Sequence, residues 1–295
     1  LQVDAFTDVP FGGNPAVVVL NADHVSDEII QLLPKELGVG QTVFVSESTV
    51  ADARFRFMAP GGEMPFSGSL TVAALHVMAE EGIIETSGDV TSVSVETKAG
   101  VLSVEVVKNE ETNRPEIQIT VRKPEFLATY DPRDYAEALG LSLADIMSSS
   151  PIQTVSTGTP QLMIPVSTLK ALDRIRPDWS RLGELGRNAD YVSIQVFTRQ
   201  SIEPTSDVHV RHFAPSLGIN EDPVTGSAAG GMGSYIIRYG LMEPTYPVTS
   251  IVVEQGHSMG RPGKVFVEVR GDPENIQQVK VSGTAVTILK GTIYI

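Results

Sequence analysis

Pro65-Phe66-Ser67-Gly68-Ser69 recurs as Pro223-Val224-Thr225-Gly226-Ser227, an offset of 158 residues (223 minus 65). At the same offset Gly82 becomes Gly240, and Val95-Glu96 becomes Val253-Glu254. Each copy is followed by an apolar run, 70–81 or 228–239, that ends just before its glycine. A small polar turn, an apolar run of helical length and a glycine spell a capped helix that stops on a left-handed residue. Looser echoes flank the two copies: Gly13-Asn14-Pro15 with Gly158-Thr159-Pro160, and Met58-Ala59-Pro60 with Phe213-Ala214-Pro215. Matches kept in order at one offset indicate an internal duplication. Segments 65–96 and 223–254 are therefore expected to superpose after a roughly two-fold rotation within the chain.

Outside these helices much of the chain alternates or is β-branched, as at 93–96, 101–107, 117–122, 191–197 and 265–269. Further helices are expected at 26–37, where Ser26 caps and Pro34 should bend or end the helix, and at 132–139 and 143–147. The expected fold class is α+β: two pseudo-symmetric lobes, each a barrel-like sheet around one central helix. The lobes are placed at 1–125 and 126–285, with 286–295 returning as a strand to the first.

Composition narrows the chemistry. The 295 residues include no cysteine, which removes disulfides, thiolate metal sites and thiol nucleophiles. With 22 Lys and Arg against 36 Asp and Glu, the formal charge is −14, which opposes binding to a phosphate backbone. No apolar run reaches the roughly 18 residues of a membrane span. The chain opens Leu1-Gln2-Val3-Asp4, with neither a basic nor an apolar leader, so a cytoplasmic location is the default expectation. The five histidines show no local metal-ligand spacing; His209 and His212, three apart on an expected strand, should point to opposite faces. No metal and no nucleotide-binding loop are expected.

The two turns carry the chemistry. Backbone N–H groups and the positive end of a helix dipole make an anion site, and Ser or Thr hydroxyls can donate to its ligand. A carboxylate is thus expected in a cleft ringed by Ser67, Gly68, Ser69, Thr225, Gly226 and Ser227. Plain N-capping is the plainer reading of either turn taken alone. Glu221 and Asp222, just before the second turn, are the residue type that acid/base work needs. Glu63, before the first, reads as a surface acid.

Val3-Asp4-Ala5-Phe6-Thr7-Asp8, Gly13-Asn14-Pro15, Thr42-Val43-Phe44, Phe213-Ala214-Pro215, Glu221-Asp222-Pro223-Val224-Thr225-Gly226-Ser227-Ala228 and Glu254-Gln255-Gly256 resemble the PhzF (phenazine biosynthesis-like) family nearly end to end. The resemblance implies a diaminopimelate-epimerase-like fold and a homodimeric, cofactor-independent isomerase or epimerase acting on a small acid. Asp222 and Ser227 match the family's functional aspartate and serine. Two positions depart from the pattern: Gln41 stands where the family carries its acid/base glutamate, and Ser69 where it carries a histidine. An amide has no useful proton-transfer pKa, so Gln41 can only orient or polarise.

Three readings follow. In the first, a diverged isomerase keeps acid/base chemistry through Asp222, with Gln41, Ser69 and Ser227 hydrogen-bonding the substrate. In the second, a secondary-metabolism cyclase or lyase works by fit and polarisation. In the third, a non-catalytic protein keeps only the anion site.

Overall fold

A parallel strand pair cannot be joined by a tight turn; it needs a crossover, and two such crossovers organise each half of this chain. The structure, a computed structural model, describes residues 1–86, 88–109 and 114–295. The chain falls into two units, 1–120 with 282–295, and 121–281.

The first unit contains β1 (Gln2–Ala5), β2 (Asn14–Val19), β3 (Thr42–Ser46), β4 (Ala53–Ala59), β5 (Gly62–Met64), β6 (Val90–Thr97), β7 (Gly100–Lys108) and β8 (Pro115–Val121). Its helices are α1 (Asp27–Glu36) and α2 (Gly68–Glu80). The ladder runs antiparallel from β1 to β2, parallel to β3, antiparallel to β4, parallel to β6, then antiparallel through β7 to β8. β5 folds back on β4 as a hairpin. α1 makes the β2–β3 crossover and α2 the β4–β6 crossover.

The second unit contains β9 (Glu125–Tyr130), β10 (Ile152–Ser156), β11 (Pro160–Pro165), β12 (Ser193–Thr198), β13 (Val208–Ala214), β14 (Ile219–Asp222), β15 (Val248–Gln255), β16 (Gly263–Asp272) and β17 (Asn275–Gly283). Its helices are α3 (Pro132–Ala138), α4 (Leu169–Asp173), α5 (Trp179–Gly186) and α6 (Gly226–Arg238). The ladder from β10 repeats the first unit's: antiparallel to β11, parallel to β12, antiparallel to β13, parallel to β15, antiparallel to β16, with β14 on β13. β9 lies antiparallel on β10, as the last strand, β18 (Ala285–Leu289), lies on β1. The duplication read from the motifs is thus also a duplication of strand order.

The central helices match in detail. α2 and α6 are each 13 residues long and begin at Gly68 and Gly226, again 158 apart (226 minus 68). Both end on a left-handed glycine, Gly82 (φ 67°) and Gly240 (φ 60°). The residue after each glycine donates back to the helix, Ile83 to Met78 O at 2.8 Å and Leu241 to Ile236 O at 2.9 Å. These bonds satisfy carbonyls that a helix end leaves open. α2 is buried on every side from Gly68 to Met78, as a helix without a polar face must be. It packs on β1, β2, β3 and β18, while α6 packs on β10, β11 and β16.

Two helix expectations need correction. Pro34 does not end α1, which continues to Glu36 with Leu37 N bonded to Leu33 O at 3.0 Å. Segment 143–147 forms only a single 3₁₀ turn, Leu143–Asp145. Ser142 N and Oγ close it on Asp145 Oδ2 at 2.9 and 2.7 Å, and Met147 N turns away to Pro165 O at 2.9 Å. Among the described residues no helix is long and apolar enough to cross a membrane.

Glycines 230, 231 and 233 let α6 sit close to its neighbours. A Cβ on Gly233 would lie 2.7 Å from Val267 Cγ1. Alanine would improve helix propensity by about 1 kcal/mol, but overpacking costs about 1–3 kcal/mol. Gly233→Ala is therefore expected to destabilise the protein by about 1 kcal/mol in urea unfolding; a gain in stability would contradict this packing.

Candidate functional site

Gln41 and Ser69 touch each other. The β5–α2 turn brings Ser69 into the first turn of α2, and Gln41 immediately precedes β3. Ser69 Oγ donates to Gln41 Oε1 at 3.0 Å. Ser67 is a true N-cap, its Oγ accepting from Leu70 N at 3.4 Å and lying 3.2 Å from Ser69 Oγ. The plain capping reading holds for this turn. With its proton given to Gln41, Ser69 is left as an acceptor, and Gln41 Nε2 has no partner among the described residues. Neither group exchanges protons near neutral pH; together they orient and polarise. Gly68 is buried in the same helical turn.

The second turn is built differently. Thr225 occupies the N-cap position of α6, yet its side chain makes no capping bond. Its hydroxyl donates instead to Asp222 Oδ2. Gln255, the last residue of β15, holds both: its Nε2 donates to Asp222 O at 2.8 Å, and its Oε1 accepts from Thr225 N at 3.2 Å. Asp222 itself is only 8% exposed. Without the side-chain cap, the first-turn N–H groups around Gly226 keep the character of an anion site.

Ser227 is oriented from β11 and the residue after β10. Gln161 Nε2 donates to Ser227 Oγ at 3.1 Å, and Thr157 Oγ1 to Ser227 O at 3.5 Å. The amide fills one of the oxygen's two acceptor positions, and the Ser227 proton is left to donate elsewhere. The equivalent serines thus have opposite polarity, Ser69 accepting and Ser227 donating.

Glu221 does not share the role that its position beside Asp222 suggests. Arg211 grips it with two hydrogen bonds of 2.8 Å, and Ser258 Oγ adds a third at 2.7 Å. Burial alone would raise its carboxyl, but the Arg211 and Ser258 bonds outweigh it and hold the pKa below the usual carboxylate value. Arg211 also donates to Leu172 O and Ile175 O, at 3.3 and 3.2 Å. Glu221 is an ionised anchor that fixes the strand carrying Asp222. Glu63, read as a surface acid, is in fact half-buried, its Oε1 and Oε2 accepting from Arg56 at 2.9 and 3.1 Å.

His212 lies opposite Asp222 in the β13–β14 register. Its Nδ1 meets Gln195 Oε1 at 2.6 Å, so the ring donates there. Complete burial pushes its pKa down to about 3, and the ring is neutral at physiological pH. A cavity of about 580 Å³ in the first unit is lined by residues including Gly38, Gly40, Arg56 and Glu63, beside the loop that leads into Gln41.

Gln161, Thr157, Arg211 and Gln255 were not singled out by sequence reasoning. Gln161 follows the echoed Gly158-Thr159-Pro160, and Gln255 lies inside the Glu254-Gln255-Gly256 block, so both stood beside visible signals.

Two ladders of one order, each enclosing an apolar helix with an oxygen-rich start, define an epimerase-like α+β scaffold. Residues 3–291 match the phenazine biosynthesis-like protein family PhzC-PhzF, and the chain belongs to that family. An uncharacterised isomerase of Clostridium acetobutylicum is 36% identical over 99% of this chain and 96% of its own length. The trans-2,3-dihydro-3-hydroxyanthranilate isomerase of Pseudomonas fluorescens is 29% identical over 99% and 97%. The crystal structure of a Bacillus anthracis PhzF-family protein superposes with a TM-score of 0.88 at 34% identity, covering 100% of this chain and 98% of that one. A hydroxyproline epimerase from Agrobacterium vitis shares the fold, with a TM-score of 0.64 at 14% identity over 98% and 90% of the two chains.

Two measurements check the electrostatics. Glu221→Gln leaves Arg211 buried without its anion, and is expected to cost about 3 kcal/mol in denaturant unfolding; a change below about 1 kcal/mol would contradict the anchor role. His212 is neutral in the fold but takes up a proton below pH 6.5 once unfolded. Its support is complete above pH 6.5 and is lost as pH falls toward about 3. Relative to His212→Asn, the parent should lose up to about 1.4 kcal/mol per pH unit in that window. Parallel stability curves would contradict it.

Proposed function

We propose that the chain is a cofactor-independent isomerase that relocates a proton on a small carboxylate-bearing metabolite. The observation that carries this reading is the arrangement at the start of α6. Asp222 is held by Thr225 and Gln255, the N-cap side chain is turned away from the helix, and the Ser227 hydroxyl is left to donate. A substrate carboxylate is bound by the first-turn N–H groups and Ser227. Asp222 removes a proton from a carbon next to an electron-withdrawing group and returns it to another position or the other face. Gln41 and Ser69, the bonded pair of the first unit, offer hydrogen bonds but no proton transfer. Relatives named as isomerases, one of them a trans-2,3-dihydro-3-hydroxyanthranilate isomerase, support this reading.

The Gln41–Ser69 pair favours a second reading, since neither side chain can pass a proton onward. In that reading the chain is a cyclase or lyase that acts by fit and polarisation.

The test is turnover in deuterium oxide of a panel of small cyclic and acyclic carboxylates, including trans-2,3-dihydro-3-hydroxyanthranilate. Carbon-bound deuterium should appear in product, and Asp222→Asn should lose at least about a hundredfold in rate. Turnover without deuterium and insensitive to Asp222→Asn would replace the isomerase by the cyclase reading. Tight binding with no turnover across the panel would leave a binding protein.

A further inference from the structure

A second cluster of chemistry-bearing side chains lies in the second unit and is not used by the proposed reaction. The parallel β13–β15 register sets His209 opposite Glu254. His209 Nδ1 is 2.7 Å from Glu254 Oε1, and both residues are essentially buried, at 1% and 0% exposure. His257, in the 3₁₀ turn His257–Met259 that follows β15, brings its ring to 5.0 Å from that of His209, centre to centre. One ligand atom from each of the three residues falls within 4.8 Å of the others.

The groups that hydrogen-bond Glu254 are two backbone N–H groups, of Ile202 at 2.5 Å and Glu203 at 3.0 Å, and one imidazole. These contacts fix the carboxylate without bringing a full positive charge to it, and a buried carboxylate gains most from a cation. His257 Nδ1 is buried and has no hydrogen-bond partner, the condition of a ligand atom awaiting an ion. Glu203 stands apart from the cluster, its Oε1 lying 3.7 Å from the opposite ring nitrogen, His257 Nε2, and its Oε2 paired with Lys264 Nζ at 2.6 Å.

We propose that His209, Glu254 and His257 form a binding site for a divalent transition-metal ion of the zinc class, with water completing the shell. Two imidazole nitrogens with carboxylate oxygen suit zinc, manganese or iron and discriminate against calcium and magnesium, which take oxygen alone. Closing the shell needs donors about 2.0–2.2 Å from the ion, so the cluster must contract around it. The 3₁₀ turn bearing His257 lies between Gly256 and Gly260, both left-handed, and is the element placed to move. Glu254 immediately precedes Gln255, whose amide holds Asp222 and Thr225. An ion here therefore braces the strand end on which that pair depends; its role is structural, and the proposed proton transfer does not run through it.

The full chain, stripped with a chelator, is titrated with zinc chloride by calorimetry, with magnesium chloride in a parallel arm. One zinc per chain is expected to bind with a micromolar or lower dissociation constant and to raise the melting temperature, with no response to magnesium. His257→Ala alters the most accessible ligand and should weaken zinc binding at least tenfold while leaving the circular dichroism spectrum unchanged. Should His257→Ala fail to fold, His257→Gln serves in its place, with the same loss expected. Absence of one-to-one zinc binding, or a folded His257 variant that binds zinc as tightly as the parent, would overturn the proposal.

Discussion

A helix with no polar face can exist in water only if it is enclosed, and the described residues include two of them. α2 is buried from Gly68 through Met78, and α6 from Gly226 through Ile237 except at Ser227. Burying each large aliphatic side chain contributes about 1.5–3 kcal/mol, so enclosing such a helix is a dominant local driving force. The cost falls on the helix start, where several N–H groups have no intrahelical acceptor and need oxygen partners. The Ser67 side chain helps meet that need in the first unit, whereas the N-cap side chain of the second does not. The candidate site is in this sense a consequence of the core.

The two helix starts have been used differently. In the first, Ser67 caps and Ser69 gives its proton to Gln41. In the second, the cap residue is drawn off to Asp222, and Gln161 turns Ser227 into a donor. The proposed reaction draws on this contrast, taking its anion site and its base from the second start. Gln41 accepts from Ser69, so the amide and the hydroxyl of the first start form one hydrogen-bonded pair.

Much of the fold was legible because it was written twice. The 158-residue offset exposed both central helices, their starts and their terminal glycines, and strand alternation marked β6, β7, β8 and β16. Local rules failed where long-range partners decided. Segment 143–147 is apolar enough for a helix, but the amide of Met147 is claimed by Pro165, a residue of the adjoining strand β11. Glu221 and Asp222 are adjacent and chemically alike, and only the Arg211 guanidinium separates anchor from candidate base. Gln161 lies 66 residues from Ser227 in sequence, and His209 lies 45 from Glu254. Spacing rules for short motifs cannot see such pairs, because strand pairing alone brings them together.

The assignment of opposite polarity to Ser69 and Ser227 is open to direct observation. Neutron diffraction from a perdeuterated crystal soaked with a small carboxylate would locate the hydroxyl deuterons. The deuteron of Ser227 should point at a carboxylate oxygen bound at the start of α6, with that of Ser69 directed to Gln41 Oε1. A carboxylate bound away from α6, or a Ser227 deuteron directed at Gln161, would contradict the assignment.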